Sequence, residues 1–349
     1  MNTTGFVKFA GALIALAICS ACGALPLSLS KGQGDMPVAP SNAALNGTYV
    51  GRTLSVNGRL VTAAHANLSA LPGYAAIVPS RHAKSKYFEY IINDYGTFAG
   101  IFDYPKSDKQ IGTIDDVGGQ GCTNVLYGYG KKTFWIVAGP AQITDYQVPQ
   151  TPLKTLSVTV GNPSSCGMDT SGDLAVGILY DSAGPGGGDI VIFKSATGSG
   201  TVYTTPLVEE YFDGYDNQGN LFADGFNDSG FELVELPKGS TKFQTITTSN
   251  TVEFPGSVQW DGTYLTVTDQ ETNSMYQYTV SGTKATLKGT VSLSGSSDCA
   301  QTWIATGVVF CADAGTEGAE VFNYPAGGSP IAILTGNFGL PLGVVAAEK

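Results

Sequence analysis

The amino-acid sequence predicts an all-β chain that is built from a repeated unit of four short strands. Three observations lead to this fold class. The 349 residues include 46 Gly, 17 Tyr and 16 Phe. Aromatic and β-branched runs are interrupted by Gly and Asp, which is typical of many short strands joined by turns. No long segment with helical periodicity follows the N-terminal region, and a similar residue pattern recurs about every 44 residues.

The first element is a targeting segment at residues 1–24. Lys8 precedes an apolar run ending at Ile18, and small residues around Cys22 follow, which is the order found in a secretory signal. The Ser-Ala-Cys sequence that ends at Cys22 resembles the lipid-attachment box of bacterial lipoproteins, although Cys19 stands where that box usually has Leu. We therefore expect a periplasmic, cell-surface or secreted protein, with a lipid on Cys22 as an open alternative. No transmembrane helix is expected after signal removal.

Residues 25–82 are expected to form a linker or N-terminal extension, because they contain several prolines and no copy of the repeat. Within this region, Thr48–Leu54 and Tyr74–Val78 are candidates for additional strands. The main domain is expected at residues 83–349.

The repeated unit begins near residues 86, 133, 173, 220, 263 and 308. In the copy at 220, the pattern predicts strands at Leu221–Ala223, Phe231–Leu236, Lys242–Thr247 and Ser257–Trp260. The dipeptide Asp261-Gly262 is a hairpin signal that leads into the next copy. Four antiparallel strands at this period are typical of one blade of a β-propeller.

We therefore predict a six-bladed β-propeller that is closed by its C-terminal strand. The first copy starts near Tyr87 on the second strand of a blade, so Gly343–Ala347 is expected to supply the missing innermost strand. This arrangement combines both ends of the domain in one blade and removes exposed sheet edges. Deleting the last ten residues should then unfold the domain.

The C-terminal copy carries a family resemblance. The stretch Val321–Gly336 reads VFNYPAGGSPIAILTG, and LPLGVVA follows from Leu340. It resembles a repeat of the NHL type, in which a strand and a Pro-Gly turn lead to a Pro-x-Gly-Val-x-Val strand. The region 86–348 is similar to exported bacterial NHL-like propellers of mostly unassigned function, and distantly resembles gluconolactonase and senescence-marker propellers. The resemblance implies the fold but specifies no activity.

Composition excludes several function classes. The net charge of −11 argues against a nucleic-acid partner, which needs basic clusters. His65, His82 and all three arginines precede the repeats. A Ser-His-Asp triad or a His-rich zinc site within the repeats is therefore excluded.

Four cysteines lie inside the repeats, and an even number in an exported chain permits disulfides. Cys299 and Cys311 flank one hairpin and are predicted to pair. Cys122 and Cys166 occupy similar positions in adjacent units, where a disulfide near the axis and two buried free thiols are both open.

Charged residues divide between the two faces of the predicted propeller. The connections from strand two to three and from strand four to the next unit hold many acidic residues and no lysine. These are Asp94, Asp115, Asp116, Asp181, Asp189, Glu209, Glu210, Asp213, Asp228, Glu253, Asp269, Glu271, Asp298, Asp313 and Glu317. The lysines cluster on the opposite face, at Lys106, Lys109, Lys154, Lys194, Lys238, Lys242, Lys284 and Lys288.

Two interpretations of the acidic connections are open. Asp94, Asp269 and Asp313 are expected to cap the turn after strand two, where Asp accepts hydrogen bonds from nearby backbone. The residues that lead into each innermost strand are instead candidate ligands for Ca²⁺, which takes six to eight oxygens. This candidate set comprises Asp115, Asp116, Glu209, Glu210, Asp213, Glu253 and Asp298.

These features favour an exported, monomeric binding or interaction module whose ligand is a protein, a glycan or a small molecule. The alternative is a Ca²⁺-dependent hydrolase of a lactone or ester. In that case the metal would polarise the carbonyl and activate water, and a carboxylate such as Glu209, Glu210 or Asp298 would act as the base.

Overall fold

The structure is a computed structural model that describes residues 87–349, except 94–97, 139–140, 180–186 and 317. It also describes the backbone of residues 53–56 and 59–62. The chain divides into two compact units, Met1–Ala66 and Asn67–Lys349. The signal at 1–24, Cys22, His65, His82 and the expected strand Tyr74–Val78 lie outside the described residues. Within the described part of the chain, no helix has the length and apolar character needed to cross a membrane.

In the first unit, the described residues form one antiparallel hairpin of β1 (Thr53–Val56) and β2 (Arg59–Thr62). The expected strand Thr48–Leu54 overlaps β1 at its last two residues, and the rest of that segment lies outside the described residues.

The second unit is all-β, with five sheets arranged as in a propeller and a single 3-10 turn at Lys194–Ala196 among the described residues. Sheet I joins the C-terminal strand β26 (Pro341–Glu348) to β3 (Tyr87–Asn93), β4 (Phe98–Phe102) and β5 (Gln110–Asp115). Sheet II contains β6 (Gly121–Cys122), β7 (Thr133–Val137), β8 (Gln142–Gln147) and β9 (Thr151–Ser157). Sheet III contains β10 (Pro163–Met168), β11 (Leu174–Ile178), β12 (Ile190–Phe193) and β13 (Thr201–Tyr203).

Sheet IV has eight strands in two antiparallel halves. Its first half contains β14 (Glu209–Tyr215), β15 (Leu221–Asn227), β16 (Gly230–Leu236) and β17 (Gln244–Thr248). Its second half contains β18 (Pro255–Trp260), β19 (Leu265–Asp269), β20 (Ser274–Ser281) and β21 (Lys284–Ser292). The halves meet where β17 and β21 pair in parallel through Thr247↔Lys284 and Thr248↔Ala285. Sheet V contains β22 (Cys299–Ala305), β23 (Val308–Asp313), β24 (Gly318–Asn323) and β25 (Ala332–Thr335).

The repeat boundaries seen in the sequence match the strands closely. The six predicted starting points fall within two residues of the starts of β3, β7, β11, β15, β19 and β23. In the copy at 220, the largest difference is in the first predicted strand, which ends at Ala223 in the prediction and at Asn227 in β15.

The C-terminal strand pairs as the repeat predicts. β26 lies antiparallel to β3, from Pro341↔Asn93 to Glu348↔Tyr87. It also contacts β6 of sheet II and β22 of sheet V. The same kind of contact links β6 to β10, β10 to β14, β14 to β18 and β18 to β22.

The apolar core lies between neighbouring sheets, because alternate residues of each strand face the next sheet. One cluster includes Tyr90 of sheet I, Phe134 of sheet II and Phe310 of sheet V, all buried. A second includes Val176 of sheet III and Ile143 of sheet II. The sheets are therefore held together mainly by burial of apolar surface.

Candidate functional site

The seven candidate metal ligands lie in three places: at the end of sheet I, in or just before strands of sheet IV, and just before sheet V. Asp115, Asp116 and Glu253 are exposed, Glu209 and Asp298 are half-buried, and Glu210 and Asp213 are buried. Glu209, Glu210 and Asp213 lie within β14 itself and not in the connection before it. Of the seven, only Glu210 and Asp213 share a hydrogen-bond partner among the described residues, and that partner is Ser165 of β10.

The Ser165 hydroxyl bridges two buried carboxyl groups from the neighbouring sheet. Its Oγ lies 2.8 Å from Oε1 of Glu210 and 2.7 Å from Oδ2 of Asp213. The Ser164 hydroxyl also donates to Oε2 of Glu210, at 3.4 Å. Gly177 leaves the necessary space, because a Cβ at this position would lie 2.0 Å from Oε2 of Glu210.

The hydroxyl of Ser165 has a single proton, so it donates to one carboxyl group and accepts from the other. One of the two carboxyl groups must therefore be protonated. Burial, and then the nearby Asp213 carboxylate, raise the pKa of Glu210 well above its ordinary value. Burial raises the pKa of Asp213 to about 7. Glu210 is thus the protonated partner at neutral pH, and the proton order runs from Glu210 through Ser165 to Asp213.

Asp224 of β15 is a third buried carboxyl group in this region, and it was not among the sequence candidates. Burial raises the pKa of Asp224 well above its ordinary value, although the backbone amides of Gly256 and Phe212 act in the opposite direction. No local sequence signal identified it, because burial of Asp224 depends on which sheet packs against β15.

The space between the innermost strands is small. A cavity of about 40 Å³ is lined by residues that include Cys122, Asp213, Gln259 and Trp303. That volume holds about one water molecule. Three glutamine side chains line this space, and Gln301 Nε2 donates to the carbonyl of Gly121 at 2.9 Å.

Two further hydrogen bonds come from side chains that line the cavity between the innermost strands. Gln120 Nε2 donates to the carbonyl of Tyr211 at 2.9 Å. Trp303 Nε1 donates to the carbonyl of Gly128 at 2.9 Å, in the connection between β6 and β7. Of the seven candidate Ca²⁺ ligands, Asp213 alone lines this cavity.

One group of potential ligands lies elsewhere among the described residues, at Cys311, Asp313 and Glu320. Cys311 is bonded to Cys299, so its sulfur is not a thiolate. Burial, and then the nearby Asp313 carboxylate, raise the pKa of Glu320 to about 8. Glu320 therefore binds its proton more tightly than an ordinary carboxyl group.

The expected turn caps are confirmed for Asp269 and Asp313, and Asp94 lies outside the described residues. Asp269 accepts hydrogen bonds from the backbone N–H groups of Glu271 and Thr272 after β19. Asp313 accepts them from Gly315 and Thr316 after β23. Both capping carboxylates are buried.

These side chains also fasten the segment that leads into the innermost strand of the same antiparallel unit. Asp313 accepts from the N–H groups of Ser297 and Asp298, at 2.9 and 3.2 Å. Asp269 accepts from the N–H groups of Glu253 and Phe254 in the same way. In sheet I the equivalent residue is Asn93, whose Oδ1 accepts from Gly339 and Leu340. We call Asn93, Asp269 and Asp313 the anchor residues.

The position of the anchor is occupied by glycine in the first half of sheet IV. Asn93, Asp269 and Asp313 pair with the residue just before the register shift in β26, β18 and β22, respectively. In β14 the residue just before the register shift is Glu210, and its partner in β15 is Gly225, where a Cβ would lie 1.9 Å from the carbonyl oxygen of Glu209. No side chain can act as an anchor at this position, and the buried carboxyl groups lie beside it.

An aromatic trio lies at the same end of sheet IV. The ring centroids of Tyr211 and Phe226 are 5.5 Å apart, those of Tyr211 and Phe254 are 5.6 Å apart, and those of Phe226 and Phe254 are 5.3 Å apart. Each pair is edge-to-face, with interplanar angles of 82° to 89°. Tyr211 is buried, while Phe226 and Phe254 are half-buried.

The structure contains two disulfides. Cys299 and Cys311 are joined across β22 and β23, with Cα atoms 5.6 Å apart, as predicted from the hairpin. Cys122 and Cys166 are also joined, with Cα atoms 5.7 Å apart. This bond links β6 of sheet II to β10 of sheet III, which selects the disulfide over the two free thiols. Disulfides are typical of extracellular proteins.

Comparisons with known proteins identify a fold and no family. No protein-family model matches the chain, and no curated protein matches it in sequence. A chain in a crystal structure of a nidogen/laminin complex is similar over 74% of this chain and 98% of its own length, with a TM-score of 0.56 and 11% identity. A functionally unknown protein from Desulfotomaculum acetoxidans aligns over 75% of this chain and 99% of its own, with a TM-score of 0.49 and 9% identity. At 11% identity the nidogen/laminin similarity concerns the fold alone, and with the sheet arrangement it supports a β-propeller.

Proposed function

We propose that this chain is an exported β-propeller of six blades that binds a macromolecular partner through an outer face. Four four-stranded sheets and the two halves of sheet IV supply the six blades. The contact of β26 with both β6 and β22 supports closure of the ring by the C-terminal strand. The NHL-type character of Val321–Gly336 is part of this proposal and rests on the residue pattern.

The filled centre is the observation that carries the binding function. Enzymes and small-molecule binders bury their ligands in pockets of several hundred Å³, whereas the central cavity here has about 40 Å³. Gln120, Gln259 and Gln301 occupy the space with hydrogen bonds to backbone groups of other sheets. A ligand is therefore expected to contact the connections at the ends of the strands, which form broad surfaces suited to a protein or glycan.

The similar chain of known structure comes from a nidogen/laminin complex. A propeller in a complex of two proteins is consistent with a role in protein recognition, although fold similarity does not transfer a partner. The two disulfides favour an extracellular location. Lipid attachment at Cys22 remains part of the proposal, and labelling with a lipid precursor tests it.

A Ca²⁺-dependent hydrolase is the second candidate, and one observation favours it. Glu210 and Asp213 are predicted ligands that meet at Ser165, and Asp213 lines the central cavity. Calorimetric titration with Ca²⁺, together with thermal melts in EDTA, tests this candidate. Micromolar binding and a shifted melt would support it, followed by assays on lactones and esters. No heat and no shift would contradict it.

The binding module is tested by affinity capture with the full chain. The immobilised protein is exposed to an extract of envelope proteins from its source cells, and each captured protein is then purified and titrated by calorimetry. We expect at least one saturable partner whose binding is lost when one face of the propeller is substituted. Absence of any saturable partner, together with turnover of a lactone or ester, would contradict the binding function.

A further inference from the structure

We propose that the outer surface around Tyr211, Phe226 and Phe254 binds arginine side chains of a basic segment in a protein partner. We call this region the trio surface; it also includes the carboxylates of Glu209, Asp228 and Glu253. The inference rests on the proposed function and specifies its face and the chemistry of its partner.

The aromatic part of the trio surface is built from two neighbouring halves of sheet IV. Tyr211 lies near the start of β14, Phe226 near the end of β15, and Phe254 immediately before β18. The buried Tyr211 packs edge-to-face against both phenylalanines, whose half-buried rings keep part of their surface in water. Partly exposed aromatic rings on a rigid support are the side chains that dominate protein interfaces.

The rim of the trio surface is acidic. Oε2 of Glu209 accepts a hydrogen bond from the Tyr211 hydroxyl at 3.3 Å, and this carboxylate is half-buried. Asp228 follows Phe226 by two residues, and Glu253 directly precedes Phe254; both are exposed. The backbone N–H of Glu253 donates a hydrogen bond to the carboxylate of Asp269, which fixes the position of the Glu253 backbone. Each of the three acidic residues is thus next to a half-buried phenylalanine, either along the chain or, for Glu209 and Phe226, across the sheet.

Positive charge lies on the other face of the propeller. The three ion pairs between described residues are Lys106–Asp103, Lys194–Asp173 and Lys349–Asp103. All three ion pairs lie at the end of the sheets that carries the lysines. Lys194, for example, begins the connection from β12 to β13. None of these ion pairs between described residues involves a carboxylate of the trio surface. The trio surface therefore presents negative charge beside aromatic rings, which is the complement of a cation with an apolar face.

Arginine fits this chemistry better than the other cations. Its planar guanidinium stacks on an aromatic ring and also donates to carboxylates through a rigid fork of N–H groups. Ca²⁺ requires several oxygens around one point, and the described residues group potential ligands at Cys311, Asp313 and Glu320, outside the trio surface. In a second copy of this chain, the residues after Arg81 would offer lysines and no arginine.

The test uses the full-length protein and a tetra-arginine peptide, with tetra-lysine as the comparison, in calorimetric titrations at low and physiological salt. The Asp228→Asn/Glu253→Gln variant removes two charges from the trio surface. The matched control, Asp108→Asn/Glu348→Gln, removes two exposed charges from other parts of the chain. Phe226→Leu keeps an apolar side chain and removes one ring.

We expect tetra-arginine to bind more tightly than tetra-lysine. Asp228→Asn/Glu253→Gln should weaken tetra-arginine binding at least tenfold, and Phe226→Leu should reduce the preference for arginine. The control should bind like the unchanged protein. Equal weakening in both charge variants, or no binding of tetra-arginine, would overturn the inference. Self-association that is lost in Asp228→Asn/Glu253→Gln, without peptide binding, would overturn it in favour of a second copy.

The capture experiment separates this inference from the proposed function. A partner that binds the unchanged protein and Asp228→Asn/Glu253→Gln equally well would overturn the trio surface and support the module. Selective binding of tetra-arginine, with no saturable partner and with turnover of a lactone or ester, would support the trio surface and contradict the module.

Discussion

The two halves of sheet IV differ in how the segment before the innermost strand is held. In the second half, the carboxylate of Asp269 fastens the backbone before β18. In the first half, Gly225 stands at the equivalent position, and Glu210, Asp213 and Asp224 are buried nearby. The anchored half uses its acidic side chain to satisfy backbone donors. The unanchored half keeps carboxyl groups protonated or unpaired, which costs stability and therefore marks the region of greatest functional interest.

The contrast extends along the chain. Sheets I and V have anchor residues, Asn93 and Asp313. Sheet III lacks one, because the equivalent position at the end of β11 is Ile178, whose apolar side chain cannot accept a hydrogen bond. Sheets II and III are instead joined by the Cys122–Cys166 disulfide. Covalent and proton-sharing links thus hold the unanchored part of the molecule, and backbone anchors hold the remainder.

The largest effect is expected from removing the C-terminal strand. Deletion of residues 340–349 removes β26 and the N–H group of Leu340, one of the two that donate to Asn93. Sheet I then exposes the edge of β3, and the apolar cluster around Val344 and Tyr90 opens. We expect no cooperative thermal transition in circular dichroism. Deletion of Lys349 alone is the control, and a folded 340–349 deletion would contradict the role of β26.

The next effect concerns the disulfide of the unanchored sheets. Cys122 and Cys166 are separated by 44 residues, and Cys299 and Cys311 by 12. Loop-closure entropy predicts a loss of about 4 kcal/mol for the paired serine variant of the first and about 3 kcal/mol for the second. Urea unfolding of both paired variants measures the difference. An equal or reversed order would show that loop closure does not determine the contribution of these bonds.

Removing an anchor should cost somewhat less. Asp313→Ala leaves four part-buried backbone N–H groups without this acceptor, so we expect a loss of about 3 kcal/mol in the free energy of unfolding. Asp228→Ala, at an exposed position, should change it by less than about 0.5 kcal/mol. Urea unfolding of the two variants provides the comparison. Similar losses in both would remove the distinction between anchor and surface carboxylates.

The smallest effect is a pH dependence of stability in the unanchored half. The folded pKa of Asp213 is about 7, above the ordinary value of 3.8. The unfolded chain therefore releases this proton at lower pH than the folded chain, and stability falls as pH rises from about 4 to 7. Asp298, with a pKa of about 7, and Glu320, with a pKa of about 8, act in the same direction.

Asp213→Asn isolates the contribution of one group. This variant should lose less stability than the unchanged protein between pH 5 and pH 8, by on the order of 1 kcal/mol. Urea unfolding at the two pH values measures the effect. If stability instead rises with pH in the unchanged protein, the buried carboxyl groups are not protonated in the way that the structure indicates.

Much of the fold was accessible from sequence because the repeat fixes the strands through its own periodicity. The start at Asn220 and the turn Asp261-Gly262 locate β15 and β19 without any long-range information. The capping roles of Asp269 and Asp313 also followed from local turn chemistry. Features that depend on contacts between sheets could not be predicted from the sequence. Asn93 as an anchor, Asp224 as a buried carboxyl group and the filling of the centre by Gln301 all require knowledge of which sheets are neighbours.

The central claim is that the partner binds an outer acidic face and not the centre of the propeller. Hydrogen–deuterium exchange of the full chain, with and without the partner recovered by affinity capture, tests it most directly. The account predicts protection in the segments 207–211, 225–230 and 250–256, which carry the trio surface, with unchanged exchange at 238–242 on the lysine-bearing face. Protection confined to the innermost strands around Gln259 and Gln301, or to the lysine-bearing face, would contradict it.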